Sequence, residues 1–300
     1  MVQIRTTGQL TVPQNVSVLI YGQSGAGKTT LALSCEKPLV LDFDNGLQRV
    51  RASHTRGAGM VQVQRWEDVL EVLNMDTSAY KTVVVDTLGK LTDTVTRYMC
   101  ADRQPHLNDW GRINGEIKAF TQRVRASGKD VVFVAQREET KRGEDTFFRP
   151  AFRAKNYNEL ITDLDMVGYL EMRAERGVQI RRLTFDPTSE NDGKNTCSLP
   201  SSIAVPLAGE EFTFMADRVI TPCKARNAEL ARSGEEYARE LAEIETAVAQ
   251  ITDAQGANAF VAAMRGRKYQ DDTRLRALKM LEGRVSELGL SYDKKEKSYR

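Results

Sequence analysis

Residues 22–29 read Gly-Gln-Ser-Gly-Ala-Gly-Lys-Thr, with the spacing GxxxxGK[ST]. Such a turn constrains both of its neighbours, because it needs an apolar strand before it and a helix after it. Both are present as patterns, a strand over Val16–Tyr21 and a helix over Lys28–Glu36. Glycines at 22, 25 and 27 remove Cβ atoms. The backbone of Gly22, Gln23, Ser24, Gly25, Ala26 and Gly27 can then wrap phosphate oxygens with its N–H groups pointing inward. The helix N-terminus adds a favourable dipole. Lys28 is expected to reach the β- and γ-phosphates, Thr29 to offer its hydroxyl to Mg²⁺, and Thr30 to extend the same nucleotide-contacting turn. The expected ligands are ATP and Mg²⁺.

A phosphate turn of this kind needs acidic groups at neighbouring strand ends. The run Thr82-Val-Val-Val-Asp86 supplies one, with Asp86 placed to hold the metal through water; the competing use of Asp86 is to cap the next helix. Leu41-Asp42-Phe43-Asp44-Asn45 supplies two more carboxylates at a strand end, where parallel sheets bind their ligands. Strand alternation points Asp42 and Asp44 to one side. One of them can polarise water, and Asp44 is taken as the catalytic carboxylate; the alternative is a solvated turn with an Asx cap. Gln136 ends the strand Val131–Ala135 and can sense the γ-phosphate or position water.

Strand patterns at Pro38–Phe43, Met60–Gln64, Thr82–Val85 and Val131–Ala135 alternate with helix patterns at Trp66–Asn74, Gly89–Cys100 and Gly111–Ala126. That alternation predicts a mostly parallel sheet covered on both faces. Arg137–Lys155 is charged, carries interspersed aromatics and shows no clear period. Met166–Met172 and Val178–Phe185 read as a β-hairpin extending the sheet. Residues 186–200 have loop composition of the mobile kind, and Glu211–Ile220 reads as a last strand. From Pro222 onward the pattern is helical. Tyr237, Leu241, Ile244, Val248 and Ile251 form one stripe, and Leu278, Leu281, Val285 and Leu288 another. These stripes serve either packing within the chain or a partner contact. The final Lys-Lys-Glu-Lys-Ser-Tyr-Arg is expected to fray. The expected division is an ATPase core over 1–221 and a helical region over 222–300.

With 41% hydrophobic and 28% charged residues, the chain is globular rather than disordered. No apolar run approaches the ~20 residues of a membrane helix, so no membrane partner is expected. Met1–Thr11 has no apolar segment of the secretory kind, which predicts a cytoplasmic protein. Cys35, Cys100, Cys197 and Cys223 lie far apart, and His54 and His106 have no Cys or His neighbour, so zinc is not expected and the cysteines read as buried free thiols. The formal charge of +2 excludes a uniform polycation and little else. Residues 97–155 hold 13 Lys and Arg against 8 Asp and Glu, whereas 1–96 are balanced and 156–300 are mildly acidic. Tyr98, Trp110, Phe147, Phe148 and Phe152 lie within the basic stretch. Basic grooves lined with stacking rings suit single-stranded nucleic acid; a solvated charged loop with core-packed rings is the alternative.

In order, the phosphate turn, LDFD, VVVD, VVFVAQ, a charged segment and a hairpin resemble the ATPase core of RecA-type recombinases over roughly residues 15–185. The resemblance implies a RecA-like α/β fold. It implies that Asp44 activates water, that Asp86 serves the metal, and that Gln136 couples the γ-phosphate to a DNA-binding loop. The family pattern has Glu where this chain has Asp44, which implies slow hydrolysis. Tyr98–Asn114 and Arg137–Lys155 become the DNA-facing segments, with Arg137, Lys141, Arg142, Phe147, Phe148, Arg149 and Arg153 as contacts. The segment Phe-Arg-Pro-Ala-Phe-Arg-Ala-Lys and the compact size look most like phage-encoded RecA-like proteins of single-strand annealing, which would place the protein in the host cytoplasm. By the same resemblance it forms a homo-oligomer, a filament or a ring, on single-stranded DNA, with a single-strand-binding protein as a further partner. Lys141, Arg142, Arg149 and Lys155 are candidates to act on a neighbouring subunit's nucleotide. A helicase-like hexameric motor and an ATP-gated scaffold with negligible turnover are the alternatives.

Overall fold

The computed structural model describes residues 14–300 apart from 56, 102, 176–177, 208 and 210–211. The expectation for Met1–Thr11 lies outside the described residues. Two compact units are resolved, one over 13–226 and one over 227–300, and each is described by itself.

The larger unit is built on parallel strands β1 (Ser17–Gly22), β2 (Pro38–Asp42), β3 (Gly59–Gln62), β4 (Thr82–Asp86) and the first half of β5 (Asp130–Arg142). Between them run helices α1 (Lys28–Ala32), α2 (Ala52–Thr55), α3 (Trp66–Val72), α4 (Leu88–Cys100) and α5 (Asp109–Arg125). Beyond β5 come β6 (Asp145–Pro150), α6 (Ala154–Asp163), β7 (Met166–Glu175), β8 (Val178–Thr184), β9 (Lys194–Asn195) and β10 (Ser202–Val205). The sheet order is β10-β8-β7-β1-β5-β4-β2-β3. Strands β3, β2, β4, β5, β1 and β7 are mutually parallel, while β8 and β10 add antiparallel strands at the far edge. This is the architecture expected of a RecA-like core.

The near-continuous apolar strands follow from burial on both faces. Leu19 and Tyr21 of β1 pack with Trp66, Leu91, Ile117 and Phe120. Val18 and Ile20 pack on the other face with Leu31, Met215 and Ile220. The same alternation splits Val85 and Phe133 from Val84 and Val132.

Several expectations need correction. The helix after the phosphate turn ends at Ala32, not Glu36. The Ser34 hydroxyl donates to Leu31 O at 2.5 Å and accepts the Met215 N–H at 2.9 Å, which closes the chain into a turn. The charged segment 137–155 is regular. Strand β5 continues antiparallel into β6 around Gly143, whose φ of 67° suits the turn, and α6 follows. The segment 186–200 is pinned: Tyr21 Oη donates to Asp192 O at 2.6 Å and Tyr157 Oη to Asp192 Oδ2 at 2.8 Å. The last strand of this unit is Ser202–Val205. Residues 216–220 form a π-helical turn leading into α7 (Thr221–Ala249), because Met215, Val219 and Ile220 bury on one face against the sheet. Residues 210–211 of the expected strand lie outside the described residues. Cys197 and Cys223 are joined in a disulfide with Cα atoms 4.9 Å apart, leaving Cys35 and Cys100 as the buried free thiols.

In the smaller unit, α8 (Ala254–Met264) and α9 (Thr273–Glu287) pack with the end of α7. Ile244 and Val248 meet Ala277, and Ile251 meets Leu281 and Val285, so these parts of the stripes cover one another, while Leu278 is exposed. The C-terminal residues are held rather than frayed. Strands β11 (Tyr292–Asp293) and β12 (Ser298–Tyr299) pair, and Tyr299 N donates to Asn258 Oδ1 at 2.7 Å. No helix among the described residues is long and apolar enough to cross a membrane.

Candidate nucleotide-binding site

The carboxyl ends of β1, β2, β4 and the parallel half of β5 converge on one cavity of about 310 Å³. Its lining includes Ser24, Lys28, Thr29, Asp44, Asp86 and Gln136. The turn before α1 has the required backbone, since Gly25 and Gly27 sit at φ 80° and 90°, where a side chain would be strained. A Cβ on Gly27 would also lie 2.9 Å from Arg181 Nη1, so an arginine from β8 lies against the phosphate turn.

Lys28 is buried and makes three bonds. Its Nζ donates to Gly22 O at 3.0 Å, Gln23 O at 2.8 Å and Gln136 Oε1 at 2.8 Å. Burial pushes the ammonium down to about 8, against the opposing pull of the Asp86 and Asp44 carboxylates. Gln136 faces Gly22 across the β1–β5 pairing, which brings its side chain to the lysine.

Thr29 Oγ1 donates to Asp86 Oδ2 at 2.6 Å. Burial pushes Asp86 up to about 6; the Thr29 bond opposes this, and Asp44 and Asp42 add to it. The Asp86 carboxylate with the Thr29 hydroxyl bonded to it, and Asp44 lining the same cavity, offer hard oxygen donors beside the single ammonium of Lys28. That fits Mg²⁺, which takes one or two carboxylates, phosphate oxygens and waters. Thr29 and Asp86 would hold it.

Asp42 and Asp44 take different roles although alternation put them together. Asp42 is buried and accepts the N–H groups of Asp44, Gly46 and Leu47 at 3.3, 3.1 and 3.2 Å. It caps the 3₁₀ turn Gly46–Arg49 and does not line the cavity. Asp44 lines the cavity. Its carboxyl is pushed up by burial and by Asp42, and pulled down by the Gly46 N–H, Arg49 and Lys90. A Cβ on Gly46 would meet Asp44 Oδ1 at 2.9 Å and Thr29 Oγ1 at 3.9 Å, so glycine there leaves room for the carboxylate beside the Thr29 hydroxyl.

The expected DNA contacts are spread around the β5–β6 hairpin. Phe147 is buried, and Phe148 stacks on Tyr169 at 5.5 Å under the Arg137 guanidinium at 4.2 Å. Phe147 is therefore core, and Phe148 is half-buried with Tyr169 and Arg137 against its ring. Arg137 donates to Tyr169 Oη at 2.7 Å and Glu139 Oε1 at 3.0 Å, and Arg149 pairs with Glu138. Lys141 reaches Thr146 Oγ1 at 3.0 Å from an exposed position. Arg153 is exposed and stacks over Trp110 at 3.2 Å. The Arg142 side chain lies outside the described residues. Both segments assigned to DNA border a single cleft of about 520 Å³ lined by Gln104, Trp110, Arg149 and Arg153, among others. Sequence reading missed Arg49, Gly46 and Arg181. None lies in a motif, and nothing in the sequence singled them out.

Among known proteins, the chain is 27% identical over 142 residues to the SPbeta prophage-derived uncharacterized protein YorG of Bacillus subtilis strain 168, covering 42% of each chain. The chain thus spans about two-fifths of that relative's length. Among solved structures it is similar to the KaiC-like protein PH0186 of Pyrococcus horikoshii OT3, with TM-score 0.42 and 13% identity over 66% of this chain and 87% of that one. It is also similar to the flagellar accessory protein FlaH of Methanocaldococcus jannaschii, with TM-score 0.41 and 10% identity over 69% of this chain and 91% of that one. Residues 14–197, from just before β1 to just past β9 and including every group of the nucleotide cavity, match AAA_24, an AAA domain, and the chain belongs to that family.

Proposed function

We propose that the protein is a Mg²⁺-dependent ATPase that binds single-stranded DNA and promotes annealing or recombination. The observation carrying the ATPase reading is the joint placement of Lys28, Thr29, Asp86, Asp44 and Gln136 around one cavity. Lys28 and the backbone N–H groups of the phosphate turn hold the β- and γ-phosphates. Mg²⁺, when bound, neutralises charge on the phosphate oxygens. Asp44 orients the attacking water and accepts its proton, while Gln136 reports the γ-phosphate to β5. We place this role on residues 1–221 and an accessory role on the helical residues 222–300.

The DNA reading is supported by the single cleft that residues 98–114 and 137–155 border, and by the local excess of basic residues. Arg153 is an exposed cation of the cleft lining and Trp110 a partly exposed ring there, and Lys141 is exposed on the hairpin beyond it. Assembly into a homo-oligomer, a phage origin, action in the host cytoplasm and a single-strand-binding partner complete the proposal. The prophage-derived relative is consistent with the phage origin. ATP turnover measured with and without single-stranded DNA tests it. Stimulation is expected, and absence of DNA binding at low salt with nucleotide and Mg²⁺ present overturns the DNA part.

One observation favours a second reading, an ATP-gated binder with negligible turnover. Asp44 is one methylene shorter than the Glu of the family pattern, so its carboxylate reaches less far toward an attacking water. Unchanged turnover in Asp44→Ala supports that reading, and a loss of turnover rejects it.

A further inference from the structure

We infer that Arg49 is a phosphate-contacting residue acting in cis, supplying from the same chain the positive charge that arginines of a neighbouring subunit would otherwise bring to the triphosphate. The inference rests on the nucleotide site proposed above and adds to it the source of its second cation.

Arg49 lines the cavity that holds Lys28, Thr29, Asp44, Asp86 and Gln136. It is exposed, and has no hydrogen-bond or ion-pair partner among the described residues. The hairpin arginines differ: Arg149 is paired with Glu138, and Arg137 with Glu139 and Tyr169. Arg181 approaches the phosphate turn from the other side. Its Nη2 is bound to Pro206 O and it is not part of the cavity lining, so it supports the turn instead of reaching into the site. An unpaired guanidinium at the mouth of an anion site has its strongest available partner in a phosphate oxygen, to which it can donate in a fork.

The backbone under Arg49 is held in place. The Asp42 carboxylate caps Gly46 and Leu47, Leu47 is buried, and Val50 N closes the turn on Leu47 O at 3.0 Å. One capped turn therefore carries both the water-polarising carboxylate, Asp44, and the arginine. Its charge also favours the ionised form of Asp44. The cavity's other lining side chains contribute one ammonium, Lys28, against the carboxylates Asp44 and Asp86. A triphosphate adds several negative charges, and a second cation offsets them as charge shifts to the leaving oxygen.

The test uses the full chain and reads equilibrium binding of ADP and of a non-hydrolysable ATP analogue, together with turnover. Arg49→Ala is expected to weaken the triphosphate analogue about tenfold while leaving ADP within about twofold, and to lower kcat by about tenfold or more. Arg49→Lys keeps the charge without the fork and should recover analogue binding more than kcat. In a mixing experiment, Arg49→Ala protein is combined with Lys28→Ala protein, which retains Arg49. A cis arginine gives no recovery of turnover. Recovery means that Arg49 acts across a subunit boundary and overturns the cis assignment. Equal effects on ADP and analogue, or no effect on either, overturn the phosphate contact while wild-type binding leaves the nucleotide site intact. If wild-type protein binds neither nucleotide, both fall.

Discussion

Lys28 Nζ donates a 2.8 Å hydrogen bond to Gln136 Oε1, tying the phosphate turn to the strand that runs on into the β5–β6 hairpin. The next residues pair out of the main sheet, Arg137 opposite Pro150, and Ala151 N donates back to Gln136 O at 2.7 Å. A change at the γ-phosphate that moves the Gln136 side chain therefore acts at the root of the hairpin. Gln136→Ala should weaken ATP binding by much less than the about hundredfold expected of Lys28→Ala, since the Lys28 ammonium keeps its bonds to Gly22 O and Gln23 O. It should abolish stimulation of turnover by single-stranded DNA, and comparing turnover with and without DNA in the variant checks it.

Asp42 and Asp44 are separable. Asp42→Ala strips the acceptor from three N–H groups, two of them in the capped turn. A loss of about 2–4 kcal/mol of unfolding free energy is expected, because each buried unsatisfied donor costs about 1–3 kcal/mol. Asp44→Ala should change stability by less than about 0.5 kcal/mol, as partly exposed positions usually do, and abolish turnover. Urea unfolding and turnover on both variants would reveal a swapped assignment at once.

Much of this site was legible from sequence because its groups end strands with a plain signature. The β-branched runs before Asp86 and Gln136 are buried on both faces, and the residue ending such a run must sit at the edge of the sheet. The division of labour between Asp42 and Asp44 was not legible. It depends on the chain leaving β2 in a 3₁₀ turn whose N–H groups need an acceptor, and period-two alternation ceases to apply there. The hairpin was hidden for a similar reason. Its strands carry charges and threonines on both faces, with Phe147 and Pro150 the buried positions of β6, so no single-sided pattern emerges. Arg49 had no signal at all, as its meaning comes only from the cavity it borders.

The loop between α4 and α5 is clamped by acid chemistry. Arg103 Nη1 and Nη2 donate to Asp109 Oδ2 and Oδ1 at 2.6 and 2.9 Å, and His106 N donates to Oδ2 at 2.7 Å. The Arg103 guanidinium and the His106 N–H hold the Asp109 carboxyl well below the usual carboxylate range. A depressed folded-state pKa contributes stability that is fully present above the unfolded value of about 3.9 and is lost as pH falls below it. Wild-type protein should therefore be more stable than Arg103→Ala at pH 7, with the gap shrinking below about pH 4 as Asp109 of the unfolded chain protonates. Thermal unfolding of both across pH 3–7 reads it; a gap independent of pH refutes the clamp.

The hairpin aromatics and cations should also part company. Phe147→Ala removes a buried ring and should cost about 3–5 kcal/mol. Arg153→Ala should leave unfolding unchanged and weaken single-stranded DNA binding with a reduced salt slope. Binding isotherms at two salt concentrations, beside unfolding curves, distinguish a core position from a surface contact.

The central claim is that residues 22–29 hold the phosphates of a nucleotide. Calorimetric titration of ATP with Mg²⁺ into wild-type and Lys28→Ala protein tests it most directly. Wild-type protein should bind with one site per chain, and Lys28→Ala should bind at least about a hundredfold more weakly, since it removes a buried charge-assisted contact worth about 3 kcal/mol. Equal affinity in the two proteins, or no binding to the wild type, would contradict the account.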